Sequence, residues 1–276
     1  MAYSAAGLAL PFLLRFLDEA GLRRPNYAGR EIPLGAGILL LLLFPGILAL
    51  SFLAEVPGFP VPLGLAFALA TIGFGLVGLV DDTLGSAGAK GFRGHFGALF
   101  REGRLTTGAM KALFGGSLAL MVSLAMRAVD PRFGPWHQVI LNTLVLASAA
   151  NIINLFDLRP GRAGKLFLVG LIAGAALARE IDRFGAPILL VFVMFLPLFR
   201  EDLRGRLMLG DTGANFLGAA LGMGFVVWLT PHAKAIAAAI LIALQLLSER
   251  YSFSALIERV GVLRAFDRWG RRAEEE

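Results

Sequence analysis

The stretch VPLGLAFALATIGFGLVGLVDD, residues 61–82, is an apolar run of 20 residues followed by two adjacent aspartates. An uncharged run of this length is typical of a transmembrane helix. Asp81 and Asp82 close the run, and Lys90 and His95 follow in a glycine-rich segment. Because charged groups at a membrane are costly, carboxylates at the end of a span indicate a functional site.

The composition of the whole chain supports a membrane protein. Of its 276 residues, 57% are hydrophobic and 17% are charged, whereas soluble domains carry about 25% charged residues. The absence of cysteine excludes disulfides and thiolate metal sites. The formal charge of +6 favours contact with anionic membrane lipid. Since the basic residues are scattered between apolar segments, we do not expect a nucleic acid partner.

Hydropathy predicts an all-α, polytopic integral membrane protein that forms a single transmembrane domain over residues 1–276. We expect about nine transmembrane helices and an amphipathic interfacial helix at the C-terminus. The predicted spans are 3–17, 34–54, 61–80, 109–128, 137–156, 164–179, 184–199, 212–230 and 233–249.

Lysine and arginine are distributed unequally between the two sides that these spans define. One side contains 20 of the 26 basic residues, and the opposite side contains five. The segments on the basic side are 18–33, 81–111, 157–165, 200–211 and 250–276. Basic residues accumulate on the cytoplasmic side of a membrane. The N-terminus is therefore expected outside, and the C-terminus in the cytoplasm.

The C-terminal segment 250–272 differs from the spans. Within residues 253–268, six apolar side chains fall on one helical face and the arginines lie off it. The six are Phe253, Leu256, Ile257, Val260, Leu263 and Phe266. This pattern predicts an amphipathic helix that lies on the cytoplasmic membrane surface, in contact with anionic lipid.

Three polar motifs are expected at the cytoplasmic ends of spans. Asp81 and Asp82 end the third span, NIINLFD (151–157) ends the fifth, and LGDTGAN (209–215) opens the eighth. Their oxygen-bearing side chains include Asn151, Asn154, Asp157, Asp211 and Asn215. Nearby basic residues include Lys90, Lys111, Arg159, Arg162 and Lys165. Such a set suits a Mg²⁺ ion that shares its ligands with a substrate diphosphate, whose remaining charge the basic residues neutralise.

Each motif also has a purely structural explanation. Asp211 can cap a helix, Asn151 and Asn154 can hydrogen-bond between helices, and single basic residues can act only as topology determinants. His95 can be a solvated loop histidine. The convergence of three acidic motifs on one side favours a site. GFGLVG (73–78) matches a dinucleotide-binding pattern, but its place within a span favours close helix packing instead.

Together the three motifs resemble those of the polyprenyl-phosphate N-acetylhexosamine-1-phosphate transferases. They match the family in order and in side over roughly residues 20–220, and GREIPLGAG (29–37) is similar to the family's entry into its second span. The resemblance implies Mg²⁺-dependent transfer of a sugar 1-phosphate from a UDP-sugar to polyprenyl (undecaprenyl) phosphate, with release of UMP. It also implies a role in envelope polysaccharide synthesis at the cytoplasmic face of a bacterial-type plasma membrane.

The resemblance further implies roles for individual residues. Asp211 is similar to the family's Mg²⁺ ligand, with Mn²⁺ as an alternative ion. Asp81, Asp82 and Asp157 are implied as the catalytic carboxylates. The implied substrate-binding residues are Arg30, Lys90, His95, Lys111, Asn151, Asn154, Arg159, Arg162, Lys165 and Asn215. A homodimer is left open.

The sequence departs from the family pattern at three places. After Asp157 the family usually continues with a Gly-Leu-Asp-Gly turn that contacts uracil, whereas LRPG (158–161) follows here. Met208 replaces an aromatic residue, and the family's histidine-rich cytoplasmic loop is missing. Arg159 offers hydrogen-bond donors only. We therefore expect recognition to rest on the diphosphate and sugar, and a UDP-N-acetylhexosamine donor rather than a muramoyl-pentapeptide one.

Two other functions stay open at the level of sequence. A catalytically divergent relative would bind polyprenyl (di)phosphate as a regulator or scaffold, but retention of all four aspartates argues against it. A transporter or flippase is the second alternative. The sequence shows neither an internal repeat nor the mid-membrane charges that such proteins use. Release of UMP from UDP-sugars would separate these alternatives from the transferase.

Overall fold

The computed structural model describes residues 1–56, 60–85, 103, 106–178 and 185–271. Within these residues the fold is almost entirely helical, which confirms the predicted all-α class. The helices are α1 (Ala2–Glu19), α2 (Ile38–Leu53), α3 (Val61–Leu84), α4 (Thr107–Val129), α5 (Trp136–Phe156), α6 (Arg162–Leu177), α7 (Gly185–Leu203), α8 (Gly210–Trp228), α9 (Pro231–Ser248), α10 (Phe253–Arg259) and α11 (Gly261–Arg268). Two short antiparallel strands, β1 (Arg23–Pro25) and β2 (Glu31–Pro33), form a hairpin.

This hairpin was not predicted from the sequence. The side chain of Asn26 closes its turn, since Oδ1 accepts hydrogen bonds from the backbone N–H groups of Ala28 and Arg30 at 2.9 and 3.0 Å. Asparagine favours such turns because its side chain can bond to backbone two residues on. After β2, Met208 donates its N–H to the carbonyl of Pro33 at 2.8 Å. The hairpin is thereby fixed beside the residues that lead into α8.

Four helices of the described chain are long and apolar enough to cross a membrane, namely α3, α4, α5 and α9. Helix α2 is apolar but has only 16 residues. Large apolar side chains such as Leu42, Ile172 and Ile240 are exposed on the bundle surface, where lipid would cover them. These features support a multi-pass membrane protein, and the number of nine spans stays a prediction.

Helix α8 lies at the centre of the bundle and packs against α3 and α5. Gly78 on α3 allows the closest approach, because a Cβ atom at this position would lie 2.1 Å from the carbonyl oxygen of Asp211. The GFGLVG stretch therefore serves helix packing, as its place within a span predicts. This close packing brings the C-terminal end of α3 against the start of α8, where Asp211 lies.

The C-terminal segment differs from the single helix predicted over residues 253–268. It forms α10 and α11, and Val260 between them has an extended backbone with φ −98° and ψ 109°. The continuous helix is wrong because this segment folds onto the protein as well as presenting an apolar surface. Phe253 is buried and its ring stacks on Phe156 with centroids 4.7 Å apart. Leu263 remains 44% exposed on the outer face.

Candidate active site

The C-terminal ends of α3 and α5 meet the N-terminal end of α8 at one end of the bundle. Asp81 and Asp82 lie in the last turn of α3, and Asp211 lies in the first turn of α8. Asn154 lies in the last turn of α5, and Asp157 follows directly after that helix. The fold thus brings together side chains from all three sequence motifs.

Asp82 fixes the start of α8. Its Oδ1 accepts a hydrogen bond from the N–H of Asp211 at 2.9 Å, and its Oδ2 accepts from the N–H and the hydroxyl of Thr212 at 2.9 and 2.6 Å. A carboxylate here satisfies backbone donors at a helix N-terminus and complements the helix dipole. Gly210 has φ +72°, and a Cβ atom there would lie 2.6 Å from Asp82 Oδ2. The cap of α8 is therefore Asp82 and not Asp211.

Lys111 of α4 joins the other two aspartates. Its ammonium group donates to Asp81 Oδ2 at 2.8 Å and to Asp211 Oδ2. The amide of Asn154 satisfies both neighbours when its nitrogen donates to Asp211 Oδ1 at 2.9 Å and its oxygen accepts from Lys111 Nζ at 3.1 Å. One cation thus links side chains of α3, α5 and α8. Partial burial strengthens these charge interactions relative to water.

Two further carboxylates lie beside this cluster. Withdrawal from water raises the pKa of Asp157 well above its usual range, and the negative charges of Asp202, Asp211 and Asp82 raise it further. Asp202, near the end of α7, is 3% exposed and accepts a hydrogen bond from the N–H of Gly161 at 3.1 Å. Negative charge is therefore in excess around Asp157, and a bound cation would relieve it.

These carboxylates face an open cleft with an empty volume of about 550 Å³. We refer to it as the cleft; its lining includes Asn26, Tyr27, Asp82, Asp157, Leu158, Arg159, Pro160, Asp202, Met208 and Asp211. On the side of the hairpin, the guanidinium carbon of Arg159 lies 4.5 Å from the centre of the Tyr27 ring, a cation–π contact. The cleft thus has carboxylates on one side and, on the side of the hairpin, the aromatic ring of Tyr27 and the guanidinium of Arg159.

The donor set of the cleft fits a hard divalent cation, since it consists of carboxylate oxygens. Among the described residues, no three His, Cys, Asp or Glu side chains are grouped closely enough to form a metal site by themselves. Mg²⁺ commonly takes one or two protein carboxylates and completes its shell with water and substrate phosphate. The residues present therefore fit a Mg²⁺ ion shared with a diphosphate, and the role of Asp211 as its protein ligand stays a prediction.

The remaining predicted substrate-binding residues fall into three groups. Arg162 and Lys165 bond to Asp267 in the C-terminal segment rather than lining the cleft. Three others lie on described elements but outside the cleft lining: Arg30, Asn151 and Asn215. Two lie outside the described residues: Lys90 and His95.

Comparison with known proteins finds three transferases of one name that are similar to this chain. The chain is 29% identical over 203 residues to the phospho-N-acetylmuramoyl-pentapeptide-transferase of Desulforamulus reducens, and 31% over 212 residues to that of Moorella thermoacetica. The Shouchella clausii transferase of the same name is 27% identical over 243 residues. The three similarities support the resemblance to the polyprenyl-phosphate N-acetylhexosamine-1-phosphate transferase superfamily. This confirms the resemblance read from the three motifs.

The extent of these matches differs between this chain and its relatives. The alignments cover 71, 72 and 80% of this chain, in the order given. They cover 60, 62 and 71% of the relatives. The chain therefore spans about three fifths of the length of the first two relatives. No family model matches the chain. All three relatives carry the pentapeptide name, whereas the sequence predicts a simpler donor, so the donor of this protein stays a prediction.

Sequence reasoning missed several residues of the cleft, among them Asp202 and Tyr27. Asp202 lies in FREDLRG (199–205), a segment whose basic residues alone entered the prediction of topology. Its position at the end of a predicted span, like that of Asp81, was an available signal. Tyr27 follows the Pro25-Asn26 pair, which is a turn signal. Nothing in the sequence showed that this turn would face the superfamily motifs from across the cleft.

Proposed function

We propose that this protein transfers a sugar 1-phosphate from a UDP-sugar to polyprenyl phosphate at the cytoplasmic face of the membrane. A phosphate oxygen of the lipid attacks the phosphorus that carries the sugar. The bond from that phosphorus to the bridging oxygen breaks, and UMP leaves with that oxygen. The observation that carries this proposal is the cluster of Asp81, Asp211, Asn154 and Lys111 at the edge of an anionic cleft, in a chain similar to three phospho-sugar transferases.

Neutralisation and alignment of two anionic reactants would supply most of the rate. Asp211 would hold the Mg²⁺ ion, which when bound stabilises charge on the diphosphate as a Lewis acid. Lys111 holds Asp211 and Asp81 at fixed positions through its two ion pairs. Asp82 holds the backbone of Asp211 and Thr212, so we assign it a positioning role.

Asp157 is the carboxylate best suited to accept a proton. Its pKa is raised well above the usual range by burial and by neighbouring carboxylates. The raised value brings the pKa of this carboxylate closer to the second pKa of a phosphate monoester, which is about 6. Asp157 would therefore take the proton from the lipid phosphate before or during attack.

Arg159 and Tyr27, on the hairpin side of the cleft, bear on the choice of donor. Arg159 and Tyr27 lie where a nucleotide could meet both a guanidinium and an aromatic ring. Arginine can bind phosphate oxygens in a fork but cannot accept the uracil imide hydrogen. We propose UDP-N-acetylhexosamine as the donor, recognised mainly through its diphosphate and sugar.

The alternative is a relative that binds polyprenyl (di)phosphate without catalysis. One observation favours it: Arg162 and Lys165, two cations predicted for substrate, are engaged by the C-terminal segment. Purified protein in lipid vesicles should decide between the two. We would add undecaprenyl phosphate, Mg²⁺ and each of several UDP-sugars, including the muramoyl-pentapeptide donor, and measure UMP.

The transferase predicts UMP release that depends on both the lipid and Mg²⁺ and is lost in Asp211→Asn. The exposed residue Glu258, remote from the cleft lining, supplies the matched control, Glu258→Gln. Binding of the lipid without UMP release from any UDP-sugar would overturn the transferase and support the non-catalytic relative.

A further inference from the structure

A buried charged network joins the C-terminal segment to the start of α6. Asp267 of α11 accepts hydrogen bonds from Arg162, with Nε to Oδ1 at 2.8 Å and the guanidinium NH2 nitrogen to Oδ2 at 2.9 Å. The other terminal nitrogen of Arg162 donates to the hydroxyl of Ser254 at 2.9 Å. Arg162 and Asp267 are 5% and 4% exposed. A paired fork of this kind is both strong and geometrically specific.

Two more cations complete the network. Lys165 donates to the backbone carbonyls of Phe266 and Asp267 at 3.1 and 2.5 Å, near the C-terminal end of α11. A cation in that position also suits the negative end of a helix dipole. Arg271 pairs with Asp267 at 2.9 Å. We call Arg162, Lys165, Asp267 and Arg271 the clamp.

The clamp acts on the loop 157–161, which joins α5 to α6. Arg271 Nε donates to the carbonyl of Pro160 at 2.9 Å. On the opposite side, Asp202 accepts from the N–H of Gly161. Arg159 and Pro160 of the same loop line the cleft. The loop is therefore held between a carboxylate of the cleft and a cation of the C-terminal segment.

We propose that the C-terminal segment is a positioning element for the cleft, with Asp267 and Arg271 as its positioning residues. Asp267 bonds to Arg162 and Lys165, which follow the loop in the chain. Arg271 holds the loop itself through its hydrogen bond to the carbonyl of Pro160. The place of Arg159 over Tyr27, and of Asp157 beside Asp202, follows from the shape of this loop. Arg162 and Lys165, which follow the loop and were predicted to bind substrate, are thus the docking site of the chain's own C-terminal segment.

The effect on the loop can be tested without any assay of catalysis. Hydrogen exchange of the amides of Leu158 and Gly161, which donate to the carbonyl of Phe156 and to Asp202, reports how often the loop opens. In Asp267→Asn the buried cations lose their counter-charge, and we expect exchange of these amides to become about tenfold faster. Glu258→Gln breaks an exposed ion pair of the same segment, at 3.6 Å to Arg268. It should leave loop exchange unchanged within about twofold.

A second variant keeps the test valid if Asp267→Asn does not fold. Arg271→Gln removes the bond to Pro160 and one ion pair but leaves Arg162 bound to Asp267. Arg271→Gln should also accelerate amide exchange of the loop. Asp267→Glu keeps the carboxylate and should show much of the protection that Asp267→Asn loses. If α11 opened in these variants while exchange of residues 158–161 did not change, the positioning role would be overturned.

The consequence for catalysis rests on the proposed function. In the UMP assay we expect Arg271→Gln to raise KM for the UDP-sugar by about tenfold, with a smaller change in KM for polyprenyl phosphate. Faster loop exchange with unchanged donor KM would refute the link to the cleft. If the wild-type protein released no UMP at all, the proposed function would fail, whereas the exchange measurements would still decide whether the clamp holds the loop.

Discussion

The cleft and the clamp are two charged regions that lie on either side of one loop, and their charge balance is opposite. The cleft brings Asp82, Asp157, Asp202 and Asp211 to one surface. Lys111 reaches its edge, where it pairs with Asp81 and Asp211. The clamp places three cations around the single carboxylate of Asp267. From the sequence, Arg162 and Lys165 of the clamp were predicted to bind the same substrate as the aspartates of the three motifs.

The difference shows how a structural charge can be told from a functional one. In the clamp, Arg162 and Arg271 pair with the carboxylate of Asp267, and backbone carbonyls accept hydrogen bonds from Lys165 and Arg271, so these charges are balanced within the protein. Burial acts to raise the pKa of Asp267, but the hydrogen bonds and charges of the surrounding cations outweigh it and hold the pKa below its usual value. In the cleft the pKa of Asp157 is raised instead. A site with unrelieved negative charge is prepared for a cation from outside.

The largest effect is expected from Asp211→Asn, which removes the proposed metal ligand while keeping the shape of the side chain. Loss of the charge that holds the metal should lower the rate of UMP release by at least about a hundredfold. Thermal unfolding of the purified variant serves as the control for folding. A variant that was less stable but turned over normally would show that Asp211 belongs with the structural charges.

Asp82→Ala tests a carboxylate that lines the cleft, as a metal ligand would, but whose hydrogen bonds cap the N-terminus of α8. It removes three hydrogen bonds to the start of α8. We expect the free energy of unfolding to fall by about 2–3 kcal/mol. Asp82→Asn, which keeps an accepting oxygen, should lose less. Equal stability of wild type and Asp82→Ala in a denaturant titration would contradict the capping role.

Asp157→Asn should change stability in the opposite direction. The folded protein binds the Asp157 proton more tightly than the unfolded chain, so stability falls as pH rises from the unfolded value towards the raised pKa. In metal-free buffer at pH 7, the neutral amide should therefore increase the free energy of unfolding, by about 1 kcal/mol. The gain should vanish near pH 4, and UMP release should be impaired. A loss of stability at pH 7 would argue against an excess of negative charge.

The smallest effect on the cleft is expected from the outer face of the C-terminal segment. Leu256 and Leu263 are 47% and 44% exposed and lie outside the clamp. Changing both to Asp should free this face from the membrane surface, and protease cleavage of the segment in anionic vesicles should increase. Since the clamp remains, UMP release should change by no more than about twofold. A much larger loss of activity would mean that membrane contact, and not the clamp, positions the loop.

The sequence predicted the helical class and the three motifs that meet at the cleft because both depend on local patterns. Apolar runs of span length define helices, and the Lys and Arg distribution placed the motif ends on one side. Such reasoning could not assign partners across long separations. Asp82 bonds to Thr212, 130 residues away, and Arg162 bonds to Asp267, 105 residues away. A cation near a phosphate site and a cation in a salt bridge have the same appearance in sequence.

The interruption of the C-terminal helix at Val260 could not be predicted from the sequence for a related reason. Apolar residues from Phe253 to Phe266 fit one helical face, but burial of Phe253 and Asp267 against the protein decides the actual path of the segment. Tertiary contacts of this kind override a helical pattern of marginal length. The site's existence could therefore be predicted, whereas the division between cleft and clamp required the fold.

Binding of Mn²⁺, followed by electron paramagnetic resonance of the free ion, tests most directly the claim that the cleft takes a cation together with a diphosphate. Wild-type protein should bind Mn²⁺ weakly alone and at least about tenfold more tightly with UDP-N-acetylglucosamine present, because the two share the ion. Asp211→Asn should lose this enhancement, whereas Arg271→Gln should retain at least part of it. Mn²⁺ binding that was equal in wild type and Asp211→Asn, or indifferent to the UDP-sugar, would contradict the account.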